Sequence, residues 1–459
     1  MTQSRRIHFI AIGGVIMHNL AIDAHLKGYT VSGSDDEIYE PSRSNLDRYG
    51  ILPAHVGWNP DMISPDIDSI VLGMHAKMDN PELLKAQSLR IPIYSYPEYI
   101  YRQSMHKQRI VITGSHGKST ITAMIMHVLQ CCKRKFDYLI GAPIEGFSQN
   151  IRLSQDAPTM VIEGDEYFSS PLDNTPKCLH YQHHIGLISG ISWDHMNVYP
   201  TFEAYQQPFQ RFADATPKAG VLVYSQDDAL VSAIGSQNRE DVTQIPYQIH
   251  PNKVIEGITY LIFKDQKIPL KVFGDHNLKN ISGAKQICMK VGVTEDDFYQ
   301  AISSFKGAAK RLEKVVEAPG FDFFIDFAHS PSKLQATTTA VKKQFTNRTL
   351  VASIELHTFS SLNKGFLPQY RDSFEAADEA LVYYNPEVVL HKKLDNFDPQ
   401  EINKAFNHKN LTVFTSIEAL KIYLLQQSWK NKTLLMMSSG TYDHLNFHKL
   451  GEEIIQKLS

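Results

Sequence analysis

A short β-branched run, Arg109 to Thr113, leads into Gly114-Ser115-His116-Gly117-Lys118-Ser119-Thr120, and Ile121, Met124, Ile125, Val128 and Leu129 follow at helical spacing. The first stretch has the unbroken apolar character of a buried parallel strand, and the last has the recurrence of a helix packed on one face. Strand, glycine-bearing turn and helix in that order constrain the chain more than any other feature. In such a turn the glycines let backbone N–H groups face a polyphosphate, and the helix N-terminus adds positive potential. Lys118 is then placed to reach terminal phosphates, and Ser119 to offer its hydroxyl to Mg²⁺. A full Walker loop would need glycine where Ile112 stands, so the turn is the short form, Gly-x-x-Gly-Lys-Ser. The bland alternative, a surface turn with an accidental Gly-Lys-Ser, does not account for the strand and helix flanking it.

The chain has 459 residues, more than one core usually serves, so about three domains of ~150 residues are expected. A net charge of -3 gives no basic excess to offset nucleic-acid phosphates. Cys131, Cys132, Cys178 and Cys288 form neither a zinc-like pair of pairs nor a disulfide framework, which suits a reducing cytoplasm. The opening MTQSRRIHFIAIGG becomes strand and glycine turn after six residues, with no apolar segment long enough for a signal peptide or membrane span. A cytoplasmic protein without membrane or nucleic-acid partners is expected.

Ahead of the phosphate loop, Ile7 to Ile12 reads as a strand running into Gly13-Gly14. Met17, Leu20, Ala21 and Ala24 suggest a helix, and Thr30 to Ser34 a second strand ending at Asp35-Asp36. This is a βαβ start with an acid after the second strand. As a dinucleotide fingerprint it is poor, because Ala11 and Ile16 occupy two of the glycine positions. A nicotinamide dehydrogenase is therefore disfavoured against an ordinary tight turn. Ser69 to Met74 is a further strand, Pro81 to Ser88 a helix, and Pro92 to Tyr94 a short strand, with a linker at Tyr101–Lys107.

Taken together, IHFIAIGG, VSGSD and GSHGKST resemble the Mur ligases, which build the peptidoglycan precursor. The similarity runs in order over essentially the full chain, and the short phosphate loop is the form that those enzymes share with folylpolyglutamate synthases. The stretches SGSDDEIYEPSRSNLDRYGI and EGDEYFSSPLDNTPKCLHY resemble the branch that attaches a whole murein tripeptide to UDP-N-acetylmuramate. The family has an α/β fold of three domains. The resemblance implies a Rossmann-like UDP-sugar domain at 1–106, a central ATP-binding domain at 107–310 and a Rossmann-like amine- or peptide-binding domain at 311–459. It places Gly13, Gly14, Ser34, Asp35 and His75 at the UDP-sugar. ATP would meet Gly114 to Thr120, His276, Asn277, Asn280, Arg311 and Asp326.

The strand Met160–Ile162 carries Glu163 at its carboxyl end, with Asp165 and Glu166 beyond, and the strand Ile185–Ile191 leads to Trp193-Asp194-His195. By resemblance Glu163 and His195 are metal ligands beside Ser119. Glu163 suits Mg²⁺ on chemistry alone, and a histidine also suits Mn²⁺. As a bare pair, Asp194-His195 would read as a helix start. Many Mur ligases carry a carbamylated lysine one helix later. Here that helix reads AYQQPFQRF, with Phe209 and Gln210 in place of any lysine, as in the muramate-specific branch. Bare His276, Asn277 and Asn280 would read as helix caps. Phe321 to Asp326 is an alternating apolar strand, and Leu350 to Glu355, Glu379 to Tyr384 and Thr433 to Ser438 are strands as well. The peptide site is expected at His329, His357, Ser439 and Tyr442, where ordinary loop polarity is the competing account.

The expected reaction is ATP-dependent amide formation through an acyl phosphate, with Lys118, Glu163, His195 and Arg311 as catalytic groups and ATP and Mg²⁺ (or Mn²⁺) required. The expected partners are UDP-N-acetylmuramate and a murein peptide, on a monomer or homodimer. The nearest rival is the biosynthetic L-alanine-adding ligase. A non-catalytic UDP-sugar-binding protein is disfavoured by the intact Gly117-Lys118-Ser119, Glu163 and His195. A folylpolyglutamate synthase is disfavoured by the domain ahead of the phosphate loop.

Overall fold

The computed structural model describes residues 5–193, 198–255, 257–395 and 398–458. The chain divides into two compact units, one of Met1–Ile191, Gln206–Tyr247 and Gly283–Phe298, the other of Ser192–Tyr205, Gln248–Ser282 and Tyr299–Ser459.

The first unit holds two parallel sheets. The smaller runs Thr30–Ser34, Arg6–Ile10, Ser69–Leu72, Ile93–Ser95 in spatial order. Its first strand stops at Ile10, short of Ile12, because Ala11 turns to φ 67 and breaks the extended run. The larger has seven strands: Thr243–Tyr247, Val221–Ser225, Ile185–Ile188, Gln108–Thr113, Thr159–Glu163, Asp137–Leu139 and Ile151–Arg152, parallel except at the last pair. Gln108–Thr113 lies fourth, buried from Arg109 onward, which is why it reads as a continuous apolar run. The second unit is built on Glu313–Ala318, Phe321–Asp326, Lys432–Met437, Thr349–Glu355, Glu379–Tyr383 and Leu411–Phe414, with only the first pair antiparallel. It also carries a three-stranded antiparallel sheet over Asn252–Pro269.

Two expectations change. The stretch Tyr101–Lys107 is no free linker. The helix Tyr96–Gln103 occupies its first half, started by Pro97 and by the Ser95 hydroxyl, which accepts the Glu98 N–H. Lys107 is buried and donates to Asp137 at 2.7 Å and to the Ser154 and Ala157 carbonyls at 2.6 and 3.0 Å. The strand Phe321–Asp326 does not alternate: Phe321 to Ile325 are all buried, because the strand lies between Glu313–Ala318 and Lys432–Met437 and apolar clusters cover both of its faces. Among the described residues, no helix is long and apolar enough to cross a membrane.

Candidate functional site

The phosphate loop forms where expected. Gln108–Thr113 pairs in parallel with Thr159–Glu163 on one side and Ile185–Ile188 on the other, so Gly114, Gly164 and Ser189 emerge at one sheet edge. Gly114 takes φ 133, and a Cβ there would stand 2.2 Å from Ser189 Oγ, so only glycine fits. Ser189 steadies the turn: its hydroxyl donates to the His116 and Thr113 carbonyls, the latter at 3.2 Å. The Ser115 N–H donates to the Gly190 carbonyl at 2.9 Å. Gly117, at φ 79, caps the helix Lys118–Cys131, and Ser119 and Thr120 lie buried in its first turn.

The side chains around this helix start are charged and close. Ser119 Oγ donates to Glu163 at 2.6 Å, and the other carboxylate oxygen accepts the Gly141 N–H at 2.8 Å. Burial, together with Asp165, pushes the Glu163 carboxyl above the usual range, against the pull of those two hydrogen bonds. Lys118 donates to the Gly114 carbonyl at 2.6 Å and to Glu166 at 2.8 Å. Burial works to lower the Lys118 pKa, but Glu166, Asp165 and Glu163 overcome it and hold the ammonium above the ordinary lysine range. Glu166 is itself buried, and its acid run looks in sequence like a solvated turn; nothing local marked it as the lysine's partner. A second lysine, Lys177, lies 3.7 Å from Asp165 and faces the rings of Tyr96 and Tyr167 at 5.3 and 5.6 Å.

Ser119 and Glu163 suit Mg²⁺, which takes oxygen donors and one or two carboxylates alongside substrate phosphates. Glu163 already spans Ser119 and the Gly141 amide, so the donor set is held in place. His195, the other expected ligand, lies outside the described residues. Where the carbamylated lysine of other ligases would fall, Phe209 is fully buried and Gln210 pairs with Asp214 and Gln237.

At the first glycine turn, the Gly13 N–H donates to Asp35 at 2.7 Å, so the turn's amide already meets a carboxylate. Burial pushes Asp35 up to about 6, opposed by the Gly13 amide and reinforced by Asp36. Ser34 donates to Glu82, a fully buried carboxylate in the first turn of Pro81–Ser88 that also accepts the Asn59 N–H at 2.7 Å. Glu82 was not singled out from sequence; it reads there as a surface acid at a helix start. Gly14 caps the helix Val15–Leu26, and His75 is exposed on the loop after Ser69–Leu72.

The second unit places His276, Arg311 and His329 around Asp326 and Phe327, with Asn277 and Asn280 on the helix that carries His276. The helix Asp275–Lys290 puts His276 and Asn277 in its first turn, and Asn277 donates to the Phe273 carbonyl at 2.8 Å. Burial lowers the His276 pKa, opposed by Asp326 and Asp275. Asp326 is fixed at both oxygens by the Leu312 and Ala328 amides, at 2.6 and 2.7 Å. The Arg311 guanidinium lies 4.3 Å over the Phe327 ring, and His329 is nearly enclosed.

The expected peptide loops meet at a residue that sequence reasoning missed. Glu355, buried at the end of Thr349–Glu355, accepts the Ser438 hydroxyl and the Tyr442 N–H, the latter at 2.9 Å. His357 lies 3.7 Å from its other oxygen, and the Ser439 hydroxyl is enclosed with no hydrogen-bond partner among the described residues. Tyr442 is corrected: its ring is fully buried, stacked on Tyr383, and its hydroxyl lies 3.1 Å from both Ser353 and the Met437 carbonyl. It packs the loop from beneath and presents no side chain to a peptide.

Comparison with known proteins supplies the context. Residues 6–107 match the Mur ligase family, catalytic domain, and residues 112–288 the Mur ligase middle domain. The chain is 30% identical to a UDP-N-acetylmuramate–L-alanine ligase of Caldicellulosiruptor bescii, over 82% of each chain. It is 24% identical, over 99% of each chain, to the UDP-N-acetylmuramate–L-alanyl-γ-D-glutamyl-meso-2,6-diaminoheptandioate ligase of Haemophilus influenzae. The solved UDP-N-acetylmuramate–alanine ligase of Thermotoga maritima superposes with a TM-score of 0.72 at 20% identity, covering 99% of both chains.

Proposed function

The chain belongs to the Mur ligase family, ATP-dependent ligases that form amide bonds in peptidoglycan pathways, and we propose that it joins an L-alanyl amine to the carboxylate of UDP-N-acetylmuramate. The observation that carries this is the phosphate-loop edge, where Lys118 is held by the Gly114 carbonyl and Glu166, and the next residue, Ser119, donates to Glu163. A carboxylate is a poor electrophile. Transfer of the γ-phosphoryl of ATP to a carboxylate oxygen gives an acyl phosphate and ADP. The amine then attacks the carbonyl carbon, inorganic phosphate leaves, and the amine proton passes to solvent or a base.

In this reading the amides at the helix start, Gly117 to Thr120, cradle the polyphosphate and Lys118 offsets charge as the phosphoryl group moves. Ser119 and Glu163 would hold Mg²⁺, which supplies further charge compensation at the phosphate oxygens. For His195, Arg311, His276, Asn277, Asn280, Asp326 and the UDP-sugar residues, the proposed roles remain those that the family resemblance implies, as does the division at residues 106 and 310.

Free L-alanine is the amine favoured by the more similar relatives. The tripeptide is a second reading, supported by the stretches 32–51 and 163–181 and by the full-length match to the tripeptide ligase of H. influenzae. Phosphate release with UDP-N-acetylmuramate, ATP and Mg²⁺, comparing L-alanine with L-alanyl-γ-D-glutamyl-diaminopimelate, separates the two. A kcat/KM for the tripeptide at least tenfold above that for L-alanine, about 1.4 kcal/mol of transition-state stabilisation, would establish the second reading. Release with neither amine would refute both.

A further inference from the structure

Two lysines, not one, face the acidic edge of the phosphate loop. Asp165 lies between them, with Oδ1 3.9 Å from Lys118 Nζ and Oδ2 3.7 Å from Lys177 Nζ. Both ammonium side chains are largely enclosed, at 13% and 12% exposure, whereas the Asp165 side chain is 40% exposed. Lys118 has a shorter partner in Glu166. Among the described residues, Asp165 is the only carboxylate within ion-pair distance of Lys177. Backbone contacts fix the arrangement: the Lys177 N–H donates to the Tyr167 carbonyl at 2.8 Å, and the Cys178 N–H to the Asp165 carbonyl at 2.9 Å.

An enclosed ammonium is expensive unless it is paired, and Lys177 is paired by the Tyr96 side chain, to which it hydrogen-bonds, and by Asp165. The geometry gives Asp165 two attractions of nearly equal length. Coulomb energy rises steeply at short range in an enclosed site. A carboxylate freed from one lysine would therefore settle on the other. If it settled on Lys118, it would add a second close carboxylate beside Glu166 and oppose the approach of the polyphosphate.

We propose that Lys177 is a positioning residue for nucleotide binding: it keeps Asp165 from closing on Lys118 beyond the present 3.9 Å, so that Glu166 is the one close carboxylate that the polyphosphate of ATP has to displace from the ammonium. This rests on the phosphate loop being the nucleotide site. Lys177 needs no contact with substrate in this role, and its effect passes wholly through Asp165.

The test is a double-mutant cycle on the full chain, read by calorimetric titration of ATP with Mg²⁺ and without sugar substrate. Lys177→Met, which matches the apolar stem and removes the ammonium, should raise the ATP Kd at least fivefold. Adding Asp165→Asn should then recover at least threefold, because the displaced carboxylate is gone. A merely structural lysine gives no such recovery. A smaller rise, or a smaller recovery, overturns the inference. Thermal melting checks folding, and Lys177→Gln carries the same cycle if Met is not tolerated. Lys118→Ala, titrated alongside, separates the two levels. Undiminished ATP binding by that variant would refute the phosphate-loop assignment itself. Lost binding there, with an indifferent Lys177, would refute only the proposal made here.

Discussion

Asp35 should make the first unit less stable as pH rises, and Asp35→Asn should remove that trend. The carboxyl is buried against the Gly13 amide and pushed up to about 6, from an ordinary value near 3.8. A raised acid pKa means that the folded chain binds its proton more tightly than the unfolded one. Below pH ~4 both states are protonated and nothing is lost. Between ~4 and ~6 the unfolded chain ionises first, so stability falls as pH rises, then levels off above ~7. Two pKa units correspond to about 3 kcal/mol at the plateau, of which about 1.6 kcal/mol is already lost at pH ~5. Solvent at the rim of the turn screens this, so about half of the remaining ~1.4 kcal/mol is a fair lower bound for the change between pH ~5 and ~8. Asparagine keeps an acceptor for Gly13 and cannot ionise. Any hydrogen-bond cost of the substitution is the same at every pH. Scanning calorimetry of both proteins from pH ~5 to ~8 should therefore show the melting point of the variant gaining on the wild type by about 2–5 °C. Parallel profiles, or a gap that closes as pH rises, would refute the assignment of this burial cost to Asp35.

The remaining predictions concern the phosphate-loop edge. Lys118→Ala should cut turnover by roughly 10²–10³, as loss of a transition-state charge partner does, while calorimetry shows UDP-N-acetylmuramate still binding. Glu163→Gln should shift the Mg²⁺ dependence of activity to higher concentration by about tenfold or more, because a charged oxygen donor held at 2.6 Å from Ser119 is lost. An unchanged Mg²⁺ titration would leave Glu163 a structural residue. Gly114→Ala forces a Cβ within 2.2 Å of Ser189 Oγ at a left-handed φ. It should abolish ATP binding and lower the melting point; retention of both properties would show that the turn is more pliant than its hydrogen bonds imply.

The phosphate loop was legible because every determinant is local. Thr113, Gly114, Gly117 and the apolar helix positions lie in one short segment, and each obeys the period of its own element. Glu163 was legible for the same reason, as an acid at the end of an apolar strand. Glu166 was not, because its pairing with Lys118 spans 48 positions and depends on how the strands are ordered. Lys177 was hidden in the same way, beside Asp165 only once the short helix Lys177–His180 folds back on the acid run. Tyr442 was misplaced for a different reason. A tyrosine two residues after Gly440 reads as loop surface, but left-handed backbone at Tyr442, Asp443 and His444 returns the chain and drives the ring into the core.

Glu355 divides its neighbourhood into positions that can vary and positions that cannot. Ser438 and the Tyr442 amide are bound to it, and a Cβ on Gly440 would come within 2.7 Å of its carboxylate and 2.8 Å of His357. Those positions are committed to shape. Phe359, on the loop after the strand, is exposed, and His357 has one face in solvent. If the amine docks on these loops, as the family resemblance implies, its selectivity can change at these two positions without disturbing the strand ends, whereas changes at Gly440 or Ser438 would disturb the contacts with Glu355. One buried carboxylate thus uncouples the evolvability of the loop tips from the integrity of the sheet beneath them.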